Sequence, residues 1–241
     1  MTELLSDEIY SPGDRRGAEL RDHEVTRPVQ FSKKLGHFWT LPWLEKTARL
    51  GEFYWLLKSQ YYYRFFWGGM GKGSKLIAPM RLRNVQNIHI GENVLINRYA
   101  FFLTLQQDSS VKPRMTIQDG CVIGHMNHFT CTREVHIGKN VLTADRVHIS
   151  DHSHGFAETT VPILRQPIIS KARVSIGEGT WIGENAAVLC CDIGRNCVIG
   201  ANAVVVNDVP DYSVAVGVPA RVVRRFNPVS GLWEKGDGGI E

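Results

Sequence analysis

The sequence predicts an all-β core, a chain wound into a triangular coil, with an aromatic-rich helical segment in front of it. Two observations carry this. From about residue 84 onward, aliphatic residues recur with a period of six, which is neither the helical period nor simple strand alternation. A triangular coil with one six-residue side per face has that period. Ahead of it, residues 40–67 carry apolar and aromatic residues at helical spacing.

The repeats run in order along the chain. "IGENVL-INRYAF" opens at Ile90, "IQDGCV-IGHMNH-FTCTRE" at Ile117 and "IGKNVL-TADRVH-ISDHSH" at Ile137. "IGEGTW-IGENAA-VLCCD" follows at Ile176 and "IGRNCV-IGANAV-VVNDVP" at Ile193. The aliphatic residue of each hexad points inward onto its copy in the next coil, while Gly and Asn fit the corners. Each coil then depends on its neighbours. Residues 104–114 and 153–175 do not fit the period and read as loops, and "VLCCD" is one residue short.

Residues 1–37 lack hydrophobic periodicity and read as a polar tail, 38–75 as the helical segment and a linker, 76–226 as the β-helix, and 227–241 as a C-terminal tail. In the helical segment Thr40 is the expected N-cap and Pro42 sits in the first turn. Trp43, Leu50, Tyr54, Leu57 and Tyr61 form one stripe, and Gly68-Gly69 ends the helix. The stripe has two readings: packing against the domain or a partner subunit, or peripheral contact of the 40–67 helix with a membrane surface. "GGMGKGSK" is not a phosphate loop, because Gly73 rather than Ser or Thr follows Lys72.

Composition narrows the function. The net charge is +4, with 43% hydrophobic and 22% charged residues, and the two signs are interleaved, so no nucleic-acid partner is expected. Five cysteines without a CxxC pair read as reduced thiols, a cytoplasmic signature. The polar amino terminus predicts no signal peptide, and no run reaches the roughly 18 apolar residues of a spanning helix, which leaves the inner face of a membrane as the nearest approach to lipid.

The hexads resemble the left-handed parallel β-helix of the hexapeptide-repeat acyltransferases, over roughly residues 80–226. The closing run "VSIGEGTWIGENAAVLCCDIGRNCVIGANAVVVNDVPDYSVAVGVPARVVRRF" is the most specific part. The pattern is similar to the galactoside and maltose O-acetyltransferases. It is closer still to bacterial O-acetyltransferases of O-antigen or capsule sugars, through "ISDHSHGF" with its Pro/Arg-containing loop and the "FNPVSGLWEK" tail.

The resemblance implies acetyl-CoA as acyl donor, a sugar or glycan acceptor, a homotrimer with sites between subunits, and no metal. Acyl transfer to a hydroxyl needs a base, alignment and oxyanion donors. The family's catalytic histidine matches His152, the first histidine after Ser150-Asp151, against the bland reading of a solvated loop histidine. His154 either orients the acceptor or shapes the loop, and His148 falls on a corner or face. Asn127 corresponds to an asparagine lining the family's acetyl or acceptor site, or is a polar corner residue; His125 and His128 lie beside it. Asp151 is not expected to orient His152, because neighbouring side chains in an extended chain point apart.

For coenzyme A, the resemblance puts Glu184 and Ala201 on the pantetheine groove and Arg221 and Arg224 near the nucleotide end, where the alternative is a solvated surface charge. The family often carries Thr-Lys before Asp208, where this chain has Val206-Asn207, with Arg225 as a replacement cation. Glu184 stands where smaller residues are common. Residues 156–171 with Arg165 frame the acceptor. Two other functions compete: a metal-dependent lyase like the γ-class carbonic anhydrases, argued from histidine density, and a catalytically idle β-helix scaffold.

Overall fold

A computed structural model describes residues 42–107 and 109–236. Parallel strands stack into three flat faces. Face A runs through Gly69–Met70, Ile88–Ile90, Arg114–Ile117, Glu134–Ile137 and Val174–Ile176, and single bridges extend it to Ile193 and Val209. Face B runs from Lys75–Leu76 through Leu95–Ile96, Val122–Ile123, Leu142–Thr143, Trp181–Ile182 and Val198–Ile199 to Ser213–Gly217. Face C comprises Arg81–Arg83, Phe101–Thr104, His128–Cys131, His148–Ser150, Ala187–Leu189 and Val204–Val205. The chain visits A, B and C in turn, which is the triangular coil that the hexads predict.

Register explains the six-residue period. Ile90, Ile117, Ile137 and Ile176 are successive partners on face A and are all buried. Phe102, Phe129, Ile149 and Val188 form the matching column on face C, and the two phenylalanine rings stack at 5.0 Å and 12°. Like residues in register, as in the isoleucine column, stack side chain on side chain in the buried core. The corners need left-handed backbone, which Asn and Gly adopt at least cost. Asn93, Asn140 and Asn196 have φ near +50°, in step with Gly73, Gly120 and Gly179. A Cβ on Gly120 would meet Asn140 Oδ1 at 2.3 Å, so that corner is closed to side chains.

The sheets extend past the predicted boundaries at both ends. Gly69–Met70 and Lys75–Leu76, expected as linker, are the first strands of faces A and B. At the other end, Ala220–Asn227 folds back antiparallel on Ser213–Gly217, and Leu232–Lys235, expected as tail, pairs with it. Residues 1–37, the other predicted tail, lie outside the described residues. Both non-repetitive segments leave at the same corner, between faces C and A. The second carries short strands, His152–His154 antiparallel to Ile168–Ser170, rather than an open loop.

The N-terminal helix begins at Trp43 with Pro42 at the cap position and no side-chain cap bond; Thr40 lies outside the described residues. It runs through Lys58, a π-turn over Ser59–Tyr63 and a last turn to Phe66. It closes the first coil with the face opposite the predicted stripe. Gln60 Nε2 donates to Gly71 O and Ser74 O, Leu76 N donates to Ser59 Oγ, and Trp67 is buried. The stripe itself faces outward: Trp43 is 78% exposed, Leu50 56%, Tyr54 54%, Leu57 39% and Tyr61 73%. Packing of the stripe on its own domain is thereby corrected. Helical periodicity identifies an apolar face without saying which way it is turned. No helix among the described residues is long and apolar enough to cross a membrane.

Candidate active site

The corner between faces C and A after Ser150 is where the coil geometry concentrates chemistry. The chain bends at Asp151, and this turns its carboxylate inward, where it is fully buried. Both oxygens accept from Thr132 N at 2.9 Å, Oδ1 accepts from Thr132 Oγ1 at 3.0 Å, and Oδ2 accepts from Arg133 N at 2.7 Å. His152 Nδ1 lies 2.9 Å from Asp151 Oδ1. Burial by itself pushes the Asp151 pKa up, but the bonds from His152, Arg133 and Thr132 outweigh it and hold the carboxyl below its usual range.

An ionised carboxylate only accepts hydrogen bonds, so in the neutral imidazole of His152 Nδ1 carries the proton and Nε2 is the acceptor. The imidazole is mostly enclosed, with 12% of its side chain exposed. This corrects the expectation that Asp151 points away. The spacing argument assumed extended backbone, and the chain turns a corner there. The missed signal was the position of "SDH" directly after the inward Ile149, where the coil changes direction.

Around this pair the second excursion is tied down. Ser170 Oγ lies 2.8 Å from Thr132 Oγ1, and Lys171 N donates to Asp151 O at 2.7 Å. Lys171 Nζ reaches Asp192 Oδ2 at 3.2 Å and Asp208 Oδ1 at 3.3 Å. A cation therefore stands at Asp208 although Val206-Asn207 supplies none. Arg225, the expected replacement, instead lies opposite Glu234 on the terminal ribbon. Sequence reasoning missed Thr132, Ser170 and Lys171, since each acts through contacts at least 19 residues away in the chain.

The remaining predicted residues separate. His148 is a face residue: its ring packs 4.8 Å from His128, which packs 4.2 Å from Phe101. Burial, then His148 and His152, lowers the pKa of His128 to about 4; burial chiefly lowers that of His148. His154 is exposed on the excursion, opposite Ile168. Asn127 is fully buried in the inward column that starts face C, and its Nδ2 donates to Ala144 O at 2.9 Å and His125 O at 3.3 Å. Its Oδ1 is buried without a partner among the described residues. His125 pairs with Asp145 at 3.1 Å on a different corner from His152.

Glu184 and Ala201 stand one above the other at the corner between faces B and C, the opposite edge of face C from His152. At the equivalent corner three coils before Ala201, His125 N donates to Asp145 Oδ1; the N–H groups of Glu184 and Ala201 have no such acceptor among the described residues. Two backbone donors on exposed residues, stacked and without a partner among the described residues, suit an extended amide chain such as pantetheine. The Glu184 carboxylate is bound by Arg146, which also donates to Asn185 Oδ1. Arg221 is exposed on the terminal ribbon, and Arg224 lies on the same strand, opposite Val214. The buried thiols Cys121 and Cys191 are pushed up to about 11 by burial and hold no reactive thiolate. Among the described residues no group of three or more His, Cys, Asp and Glu side chains could hold a metal ion.

A coiled parallel β-sheet with a buried carboxylate behind one imidazole defines the class of a β-helical protein with a carboxylate-backed histidine at a coil corner. Comparison with known proteins names the family. The chain is 32% identical over 164 residues to the putative lipopolysaccharide biosynthesis O-acetyl transferase WbbJ of Escherichia coli K12, covering 65% of this chain and 81% of that protein. It is 36% identical over 159 residues to the probable acetyltransferase Rv3034c of Mycobacterium tuberculosis, covering 64% of this chain and 49% of that protein. It is also 30% identical over 159 residues to the E. coli galactoside O-acetyltransferase, covering 66% and 64%. A point mutant of the AntD N-acyltransferase of Bacillus cereus, crystallised with dTDP-4-amino-4,6-dideoxyglucose and coenzyme A, shares the fold at a TM-score of 0.60 and 18% identity, over 71% of this chain and 91% of that one. No family model matches the chain. On these relatives and this coil, the chain belongs to the hexapeptide-repeat acetyltransferases.

Proposed function

We propose that the protein transfers an acetyl group from acetyl-CoA to a sugar hydroxyl in the building of a bacterial surface polysaccharide. The observation that carries this reading is the Asp151–His152 pair, which leaves Nε2 of His152 as a base at the mouth of a coil corner. Kinship with a relative named for lipopolysaccharide O-acetylation supports the polysaccharide role. The resemblance of the hexads supports left-handed winding and assembly as a homotrimer.

Acetyl-CoA supplies an acetyl thioester. His152 Nε2 accepts the proton of the acceptor hydroxyl as its oxygen bonds to the acetyl carbon, then returns the proton to the departing sulfur as the carbon–sulfur bond breaks. Asp151 holds the ring in the productive tautomer and stabilises the imidazolium formed in between. Backbone N–H groups of a neighbouring coil bind the developing oxyanion. Glu184 and Ala201 offer backbone donors to the pantetheine arm, and Arg221 and Arg224 meet the phosphates. His154, on the excursion that carries Arg165, faces the acceptor.

The test follows thiol release from acetyl-CoA with a panel of free, nucleotide-linked and lipid-linked sugars. Acceptor-stimulated release is expected from the wild type, and His152→Ala should lower it by about 10²- to 10⁴-fold. Release that survives the substitution removes His152 from the role of base. A wild type inert toward every sugar overturns the sugar acceptor.

A further inference from the structure

We propose that the outward stripe of the N-terminal helix is a docking surface for an anionic lipid bilayer. The helix has two working faces. Ser59, Gln60, Tyr63 and Trp67 are spent on closing the first coil. The opposite face presents Trp43, Leu50, Tyr54, Leu57, Tyr61 and Phe65, all exposed, with Phe65 at 82%. A helix whose inward face is already occupied gains nothing in its own fold from a second apolar face. From Trp43 to Phe66 the strip is about 36 Å long, large for an exposed apolar surface on a soluble protein.

The chemistry of the stripe selects the occupant. It is rich in Trp and Tyr, whose rings carry a polar handle and rest at the level of lipid headgroups. Its charge is complementary to an anionic surface: the helix carries Lys46, Arg49, Lys58 and Arg64 against Glu45 and Glu52. Glu52 is directed toward the body, 3.9 Å from Lys75, while Arg49 and Arg64 are exposed. Aromatic residues on one face with cations along its flanks are the pattern of a helix lying in the plane of an interface. A self-pairing seam would ask for aliphatic residues and an unbroken 3.5-residue repeat. Thr47, Tyr54 and Tyr61 fall on that seam, and the π-turn at Ser59–Tyr63 interrupts it.

The experiment sediments the full chain with vesicles of phosphatidylcholine alone, and with vesicles that also contain phosphatidylglycerol, at low and high salt. The wild type should partition onto the anionic vesicles, and high salt should weaken this. The variant Trp43→Ser/Tyr54→Ser/Tyr61→Ser/Phe65→Ser should partition about tenfold less. Because these side chains face away from the coil, its melting transition should be that of the wild type. A second variant, Arg49→Glu/Arg64→Glu, keeps the stripe and should lose only the preference for anionic lipid. Absence of wild-type binding to either vesicle overturns the proposal, as does binding by the serine variant equal to the wild type. If the wild type ignores vesicles and the serine variant has a smaller mass by light scattering, the stripe pairs with a second copy.

Discussion

The exchange of one atom in Asp151 separates its two duties. Its carboxylate caps the Thr132 and Arg133 amides and also holds His152. Asp151→Asn keeps the size but removes the charge that stabilises the imidazolium, so the acetyl-transfer rate should fall by about 10²- to 10⁴-fold with little change in KM for either substrate. Stability should respond as well. The folded pKa of Asp151 is depressed, so its contribution is complete above the unfolded value of about 3.9 and is lost as pH falls through the folded value. The difference in melting temperature between wild type and Asp151→Asn should therefore be largest near neutral pH and shrink below about pH 4. A difference that stays constant into acid would mean that the carboxylate is not preferentially ionised in the fold. His152 is singled out in the sequence by the match of "ISDHSH" to the family's motif. Its partner is not, because the side chain's direction is set by a corner and by donors one coil earlier.

At the scale of single elements, two features carry predictions. The outer column of face C stacks Arg81 over Phe101, then His128 and His148. His128 is kept neutral, with Nε2 buried and without a partner among the described residues. Its folded pKa lies below the unfolded one, so the unfolded chain binds the proton first. Stability should drop as pH falls from about 6.5 and level off near the folded value of about 4. His128→Phe should flatten that slope in thermal melts, whereas an unchanged slope would assign it to other groups. The second feature is the ribbon of His152–His154 and Ile168–Ser170, latched by Lys171 onto two carboxylates. The ammonium is partly exposed, so Lys171→Met should cost less than about 1 kcal/mol of stability. It should nonetheless lower kcat by roughly tenfold or more, since a loosened ribbon misplaces the imidazole. A large fall in melting temperature with kcat intact would make Lys171 a fold residue only. None of this latch was visible in the sequence, where 153–175 is only a break in the period; the period reports which residues point inward and is silent about the excursions.

Over the whole molecule, the question is how residues on opposite edges of one face can share a reaction. His152 stands at the corner between faces C and A, and Glu184 and Ala201 at the corner between B and C. The width of face C separates them, about 13 Å for a four-residue strand. In the proposed ring of three chains, one chain's His152 corner faces its neighbour's Ala201 corner, and each site takes its base from one chain and its pantetheine donors from the next. Subunit mixing distinguishes this from a site within one chain. His152→Ala removes the base, and Ala201→Trp obstructs the groove, so each homotrimer alone should be nearly inactive. Co-expressed in equal amounts and purified as mixed trimers, the two chains would form an intact site wherever an Ala201→Trp chain presents His152 to a His152→Ala neighbour. Every mixed ring, whether two to one or one to two, has one intact interface of its three, so mixed trimers should recover about a third of wild-type activity. A site built within one chain gives no intact combination, because every chain carries one of the two lesions. Activity at the level of the parent variants, with mixed trimers verified by mass, would place base and groove on the same subunit.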